Sequence, residues 1–318
     1  MEIIKLKAAC MDYLWGGHIL QERYGKGKGM PRVAESWELS AHPAGESTVC
    51  SGKDSGMKFT GYLHKYGKEI LGERGEKFKF FPVLIKWIDA EKPLSVQVHP
   101  SDEYGLRVEG EYGKTEMWYV MDAKPGASLY FGVNRELSRE ELKQRIADNS
   151  LTEVLNQVEV HPGDVFFIES GTIHAIGEGI LICEIQQNSN TTYRVYDYGR
   201  RDDKGNLREL HIDKALEVSS LIPVKPEMPH KEVKIPGGTF KELAQCKYFT
   251  CGCYDIDGET TIMAGNESFT ALSILSGEGS VAGSENTLNF NAGDSIFIPA
   301  NTGEVKISGK FKLISTCV

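Results

Sequence analysis

Short apolar runs recur along this chain, each cut off by Gly, Pro or Asp before it grows long enough for an ordinary helix. FPVLIKWI ending at Ile88, LSVQVH ending at His99, EMWYVM starting at Glu116 and DVFFIE starting at Asp164 are rich in β-branched and aromatic residues. Runs of this length and composition are strands, so the chain is expected to be mainly β. Helical patterns are fewer. FTGYLHKYGKEIL predicts one helix over residues 59–71, and Ser138 with Glu141 and Ser150 with Glu153 each form a capping box. The two boxes predict a small helical insertion at about 134–157. Pro223, Pro226, Pro229 and Pro236 fall within LIPVKPEMPHKEVKIP, which holds neither a regular helix nor a central strand and reads as a linker. With 318 residues the chain is long enough for two domains, and the boundary is placed at 1–222 and 223–318.

An internal resemblance supports two related β modules. PGDVFFIESGTIHAI (162–176) and AGDSIFIPANTGEVKI (292–307) both run from a small residue through Gly-Asp to an apolar strand and a turn. His174 in the first copy matches Glu304 in the second, so one module carries a metal-type ligand that the other lacks. Two common strand-turn patterns also match by chance, and the segments alone do not separate these readings.

Composition narrows the function classes. A net charge of −9 without a basic block argues against nucleic acid, whose binding needs clustered Lys and Arg. No stretch reaches the roughly eighteen apolar residues of a membrane span. The opening MEIIKLKAACMDYLWGG is broken by Lys5, Lys7 and Asp12, unlike a signal peptide, so a cytoplasmic location is expected. The seven cysteines are odd in number and scattered, which fits reduced thiols rather than a disulfide framework. Cys251 and Cys253 fall on one side of a strand, without CxxC spacing, and read as buried thiols.

Four segments carry groups capable of chemistry. Strand alternation in LSVQVHP puts Ser95, Gln97 and His99 on one face and Leu94, Val96 and Val98 on the other. In GKTEMWYV, Lys114 and Glu116 share a face while Met117 and Tyr119 point away, and His174 sits in a turn after a strand. Gln97, His99, Glu116 and His174 together make a nitrogen and oxygen set suited to a borderline divalent ion; zinc fits best, with an open position for water or substrate. The fourth segment, CEIQQNSNTTYRVYDYGR, places Glu184, Gln186, Arg194, Asp197 and Arg200 among aromatic and β-branched residues, as a substrate groove would. Arg194 and Lys114 suit a phosphate or a sugar oxygen. Each piece also has an ordinary explanation: a solvated strand face for QxH, a salt-bridged edge for Lys114 and Glu116, a turn histidine for His174, solvated charges for the rest. Spacing alone does not bring them together.

PLSVQVHP, GKTEMWYV, PGDVFFIESGTIHAIG and QQNSNTTYRVYDYGR, in this order, resemble the type I mannose-6-phosphate isomerases in their short bacterial form. The resemblance implies two cupin-like double-stranded β-helix (jelly-roll) domains with a small helical insertion, the second domain metal-free. It implies that Gln97, His99, Glu116 and His174 bind one Zn2+ per chain. It further implies that Arg194, Glu184 and Lys114 are catalytic and that Ser95, Lys114 and Arg194 bind substrate. Glu169 departs from the proline usual in the second cupin motif. The gap between His99 and Glu116 is longer than in cupins generally and is filled by HPSDEYGLRVEGEYGK, read as a helix and turn.

The reaction so implied interconverts mannose 6-phosphate and fructose 6-phosphate through a cis-enediol(ate), with zinc and Arg194 stabilising charge and Glu184 moving the proton. The expected partner is a small sugar phosphate, with no nucleic acid and no membrane, on a monomer or weak homodimer. A metal-dependent dioxygenase on the same fold and a non-enzymatic sugar-binding module are the rival readings. The Gln ligand and the cations argue against the first, and Glu184 with Arg194 against the second.

Overall fold

The computed structural model describes residues 1–201, 205–224 and 231–318. It is mainly β, in three antiparallel sheets. A six-stranded sheet runs in spatial order Val165–Ile168, Glu116–Ala123, Ile180–Gln187, Val83–Ala90, Glu35–Leu39 and Ala9–Met11. A five-stranded sheet runs Tyr193–Tyr196, Val96–Val98, His174–Ala175, Ser128–Val133 and Leu155–Glu159. Ile88, Trp118, Val120, Phe166 and Ile182 of the first form one buried cluster with Leu129 and Phe131 of the second, so the two sheets face each other. The nine-stranded third sheet holds all the strands from Glu232–Ile235 to Gly303–Cys317.

Alternation decides what each sheet buries on its other face. On the six-stranded sheet, Trp87, Met117, Tyr119, Cys183 and Ile185 point outward and pack with Leu243, Phe249, Cys251 and Cys253 of the third sheet. Both cysteines are buried free thiols. On the five-stranded sheet, Val96, Val98, Tyr193 and Val195 point outward and pack with Leu142, Ile146 and Ala215 of two helices, Arg139–Ala147 and Ile212–Val218. Gln97, between two valines that are fully buried, is left facing the other sheet. Leu94 departs from the expected alternation: it lies before the strand Val96–Val98 and packs into the inner cluster.

The chain crosses the expected domain boundary. Ile4–Lys7 and Thr48–Val49 pair with each other, and Ile4–Lys7 also pairs with Ser295–Ile298, at the end of the nine-stranded sheet. Ile4 and Leu6 are buried there, which covers an otherwise open edge. Pro226 and Pro229 of the expected linker lie outside the described residues. Glu232–Ile235, also expected as linker, forms a strand paired with Gly238–Gln245; Pro236 ends it, and Gly237 turns the hairpin at φ +74°.

One of the two expected capping boxes forms. Ser138 Oγ accepts the Glu141 N–H and opens the Arg139–Ala147 helix. The second box does not form: Leu151–Val154 is one 3-10 turn without a side-chain cap, and Ser150 bonds Asp148 and Arg145 instead. The insertion ends earlier than expected, because residues from Leu155 onward are strand. The helix expected over residues 59–71 is broken at Gly67, whose φ of +75° stops Phe59–Tyr66 before the 3-10 turn Lys68–Leu71. Asp102–Val108 is the helix expected after His99. The two similar segments also match in geometry. Gly163 and Gly293 both have positive φ, the Asp164 and Asp294 carboxylates accept the backbone N–H three residues before, and the same pair of backbone bonds ties each turn to Val120 or Ile274.

Candidate active site and metal centre

Cross-strand register gathers the polar groups on the inner face. Trp37, Lys86, Glu184 and Trp118 are direct neighbours across four strands of the six-stranded sheet, and Gln186 pairs Glu116 in the row beside them. Across the cleft, Gln97 is paired with His174 on one side and Arg194 on the other. Residues paired across strands share a face, so two ladders bring together side chains far apart in sequence.

His99, Glu116 and His174 offer ligand atoms that all lie within 4.8 Å of one another, and all three residues are buried. His99 Nδ1 donates to the Thr191 carbonyl at 2.9 Å, and His174 Nδ1 donates to the Thr172 carbonyl at 2.8 Å. Each bond fixes the tautomer and leaves Nε2 with its lone pair directed inward, as metal-ligating histidines require. Gln97 Nε2 lies 3.5 Å from His174 Nε2, and a half-turn of the amide puts its oxygen in that place. Both oxygens of Glu116 are buried and neither accepts a hydrogen bond. Such an orphaned carboxylate is costly unless a cation compensates it. The Lys114 ammonium does so through charge, 2.5 Å from Glu116 Oε2 and 3.2 Å from His99 Nε2. The donor set therefore fits a divalent ion, with His99, Glu116 and His174 as the core of a possible metal site and Gln97 within reach.

The buried charges are tuned by their surroundings. Burial, reinforced by the Lys114 charge, pushes His99 well below the usual imidazole range, and burial pushes His174 down to about 4, so both rings are neutral near pH 7. Burial and the Glu184 charge push Glu116 up to about 7 against the pull of Lys114. Burial also works against an ionised Glu184, but the Lys114 and Lys86 ammoniums and the Trp118 N–H together hold it below its ordinary value. Lys86 is raised: burial opposes its charge, and Glu35 and Glu184 outweigh it from 3.5 and 3.7 Å.

These groups open onto a cavity of about 280 Å³, the volume of a small polar molecule. Lys86 and Glu184 of the six-stranded sheet line it together with Lys114, and Gln97 and Arg194 of the five-stranded sheet line it together with Ser95 and Arg208. Arg194 Nε donates to Ser95 Oγ at 3.2 Å and Nη1 to the Glu209 carbonyl at 2.9 Å; it is half-buried, and burial and the neighbouring Arg208 disfavour its charge. Of the eight candidate catalytic, metal and substrate residues, Ser95, Gln97, Lys114, Glu184 and Arg194 line this cavity, and His99, Glu116 and His174 lie behind its wall, against Gln97 and Lys114. Asp197 and Arg200 pair with each other and do not line the cavity, and Gln186 donates to the loop carbonyls of Gln187 and Ser189.

Comparison with known proteins decides the family. Residues 3–155 match the family model "Phosphomannose isomerase type I, catalytic domain", and residues 239–318 match "Mannose-6-phosphate isomerase, cupin domain". The chain is 38% identical to mannose-6-phosphate isomerase ManA of Bacillus subtilis over 97% of this chain and 96% of that protein. It is 36% identical to the mannose-6-phosphate isomerase of Streptococcus mutans, over 99% and 98%. The crystal structure of the Bacillus subtilis mannose 6-phosphate isomerase superposes with a TM-score of 0.93, at 35% identity and covering 100% of both chains. The chain belongs to the type I mannose-6-phosphate isomerase family.

Several residues of this isomerase cleft escape a reading by motif. Lys86 lies in the middle of FPVLIKWI and is buried, with its ammonium 4.7 Å from the Trp37 ring centre. Its signal was a lone charge in an apolar strand, which needs a buried partner. Glu35 accepts the Trp37 indole N–H at 2.7 Å and faces Lys86, and Trp118 Nε1 holds Glu184 Oε2 at 3.0 Å. Arg208 gives no local signal. Among the described residues no helix is long and apolar enough to cross a membrane.

Proposed function

We propose that this chain interconverts mannose 6-phosphate and fructose 6-phosphate as a zinc-dependent aldose-ketose isomerase working through a cis-enediol(ate). The observation that carries this reading is the convergence of the His99, Glu116 and His174 set with ionised Glu184 beside one small cavity. Gln97, His99, Glu116 and His174 would hold one zinc ion per chain. When bound, zinc supplies Lewis-acid charge toward the substrate oxygens. Glu184 removes the proton from C2 of the aldose, and the electron pair moves into the C1–C2 bond and onto the carbonyl oxygen. Returning that proton to C1, with the hydroxyl proton passing between the two oxygens, completes the ketose. Glu184 suits this task because Lys114 and Lys86 keep it ionised and Trp118 fixes one oxygen, while Oε1 has no hydrogen-bond partner.

Lys114 lies between Glu184 and Glu116 and supplies positive charge where the oxygens become anionic. Arg194, oriented by Ser95, stabilises the same developing charge from the opposite sheet. Ser95, Lys114 and Arg194 bind the substrate, and Arg208 adds a second guanidinium for the phosphate. A small sugar phosphate is the partner consistent with the family. Conversion of mannose 6-phosphate in deuterated water tests this scheme: the product should be fructose 6-phosphate carrying deuterium at C1. No product contradicts the activity, and product entirely free of deuterium contradicts proton transfer through an exchangeable carboxyl.

A further inference from the structure

The two imidazoles of the metal set are oriented by unequal means. His174 Nδ1 donates to Thr172, two residues away on its own turn. His99 Nδ1 donates to Thr191, in a loop 92 residues further along the chain. That loop follows the strand Ile180–Gln187 and has no ladder of its own. Its near end is held by the Asn188 N–H to the Pro82 carbonyl and by the Gln186 amide to Ser189. Its far end is gathered by one carboxylate: Glu111 Oε2 accepts from Asn190 N at 2.9 Å, Ser189 Oγ at 3.2 Å and Thr191 Oγ1 at 3.2 Å. The other oxygen of Glu111 receives His42 Nε2 at 3.2 Å. His42 Nδ1 accepts the Ala44 N–H, so the proton is on Nε2 and His42 donates. Asn190 and Thr192 of the same loop also line the cavity.

We propose that Glu111 is a positioning residue for the metal centre, fixing the 189–191 loop so that the Thr191 carbonyl aims His99 Nε2, with His42 anchoring Glu111 in turn. The proposal rests on His99 being a metal ligand. Carboxylates one step behind a ligand typically change metal affinity or activity by about 10–100-fold when removed. Glu111 differs from the usual case in acting through a backbone carbonyl rather than on the imidazole itself.

The test is made on full-length protein with Glu111→Ala and Glu111→Gln. Zinc affinity is read by competition with a chelator, and the His99 Nδ1–H signal is followed by nitrogen-proton NMR in metal-free protein. Glu111→Ala should weaken zinc binding by about 10–100-fold and shift or broaden the His99 signal while leaving that of His174 in place. Glu111→Gln should fall between, because its amide oxygen still accepts from the loop but its NH2 faces the His42 donor. It keeps the test valid if the alanine variant fails to fold. Unchanged zinc affinity together with an unmoved His99 signal overturns the proposal. If wild-type protein binds no zinc, the metal reading fails by itself, and the NMR signal still decides whether Glu111 holds His99.

Discussion

Two carboxylates, Glu116 and Glu184, are buried within reach of the same ammonium, and burial works against the charge of both. Both feel the Lys114 and Lys86 ammoniums, but Glu184 also accepts the Trp118 indole N–H, whereas Glu116 has no such neutral donor and carries the opposing charge of Glu184. Divergent pKa values within one cleft mark separate roles. Replacing Glu184 with Gln is expected to lower kcat by about 10²–10⁴-fold, the usual worth of a positioned base, with zinc content unchanged. Arg194→Ala should lower kcat by about 10²–10³-fold, also with zinc retained. Steady-state kinetics with metal analysis checks both, and near-normal kcat in either variant removes that residue from the mechanism. Glu111 gives a pH prediction. The His42 N–H holds its carboxyl down to about 2 from an ordinary 4.5, with burial opposing and the Asn190 N–H assisting. A lowered carboxyl stabilises the fold above the ordinary value and loses that contribution as pH falls from about 4.5 toward 2. The Tm gap between wild type and Glu111→Gln should therefore narrow across this window. Because Glu111 is partly exposed, solvent screening keeps the gap small, and a gap that widens on acidification contradicts the assignment.

Elements whose signal is local were legible in the sequence. Strand alternation placed Gln97 and His99 opposite Val96 and Val98, and Lys114 and Glu116 opposite Met117 and Tyr119, because that period is set by one residue and its neighbours. Capping chemistry located the helix at Arg139–Ala147 but overstated Leu151–Val154, where the chain turns into a strand before a second helical turn can form. This difference has a measurable consequence. Ser138→Ala should cost about 1 kcal/mol by denaturant unfolding, whereas Ser150→Ala should not show the loss of a helix cap. Equal losses would mean that the cap is not what Ser138 contributes. Pairings between distant strands were not legible, since nothing in MEIIKLK states that Ile4 will lie against Phe297. Lys86 was passed over for a related reason: its partners Glu35 and Glu184 become neighbours only when three strands are in register.

In the whole molecule the site-bearing sheet is buried on both faces. Its inner face meets the five-stranded sheet around the cleft, and its outer face meets the third sheet through Met117, Tyr119, Cys183, Cys251 and Phe249. Packed from both sides, this sheet gives Lys86, Glu116 and Glu184 a rigid, water-poor setting in which charge is worth more than in water. The similar turns at Gly163 and Gly293 are consistent with two related modules, of which the one carrying His174 bears the cleft; Glu304, its counterpart, is exposed. The most direct measurement is conversion of mannose 6-phosphate to fructose 6-phosphate by the purified protein before chelation, after it, and again as zinc is restored. Activity is expected to disappear with the metal and to return in proportion to zinc, levelling at one ion per chain. Full activity in chelated protein, or no conversion by the zinc-loaded protein, would contradict it.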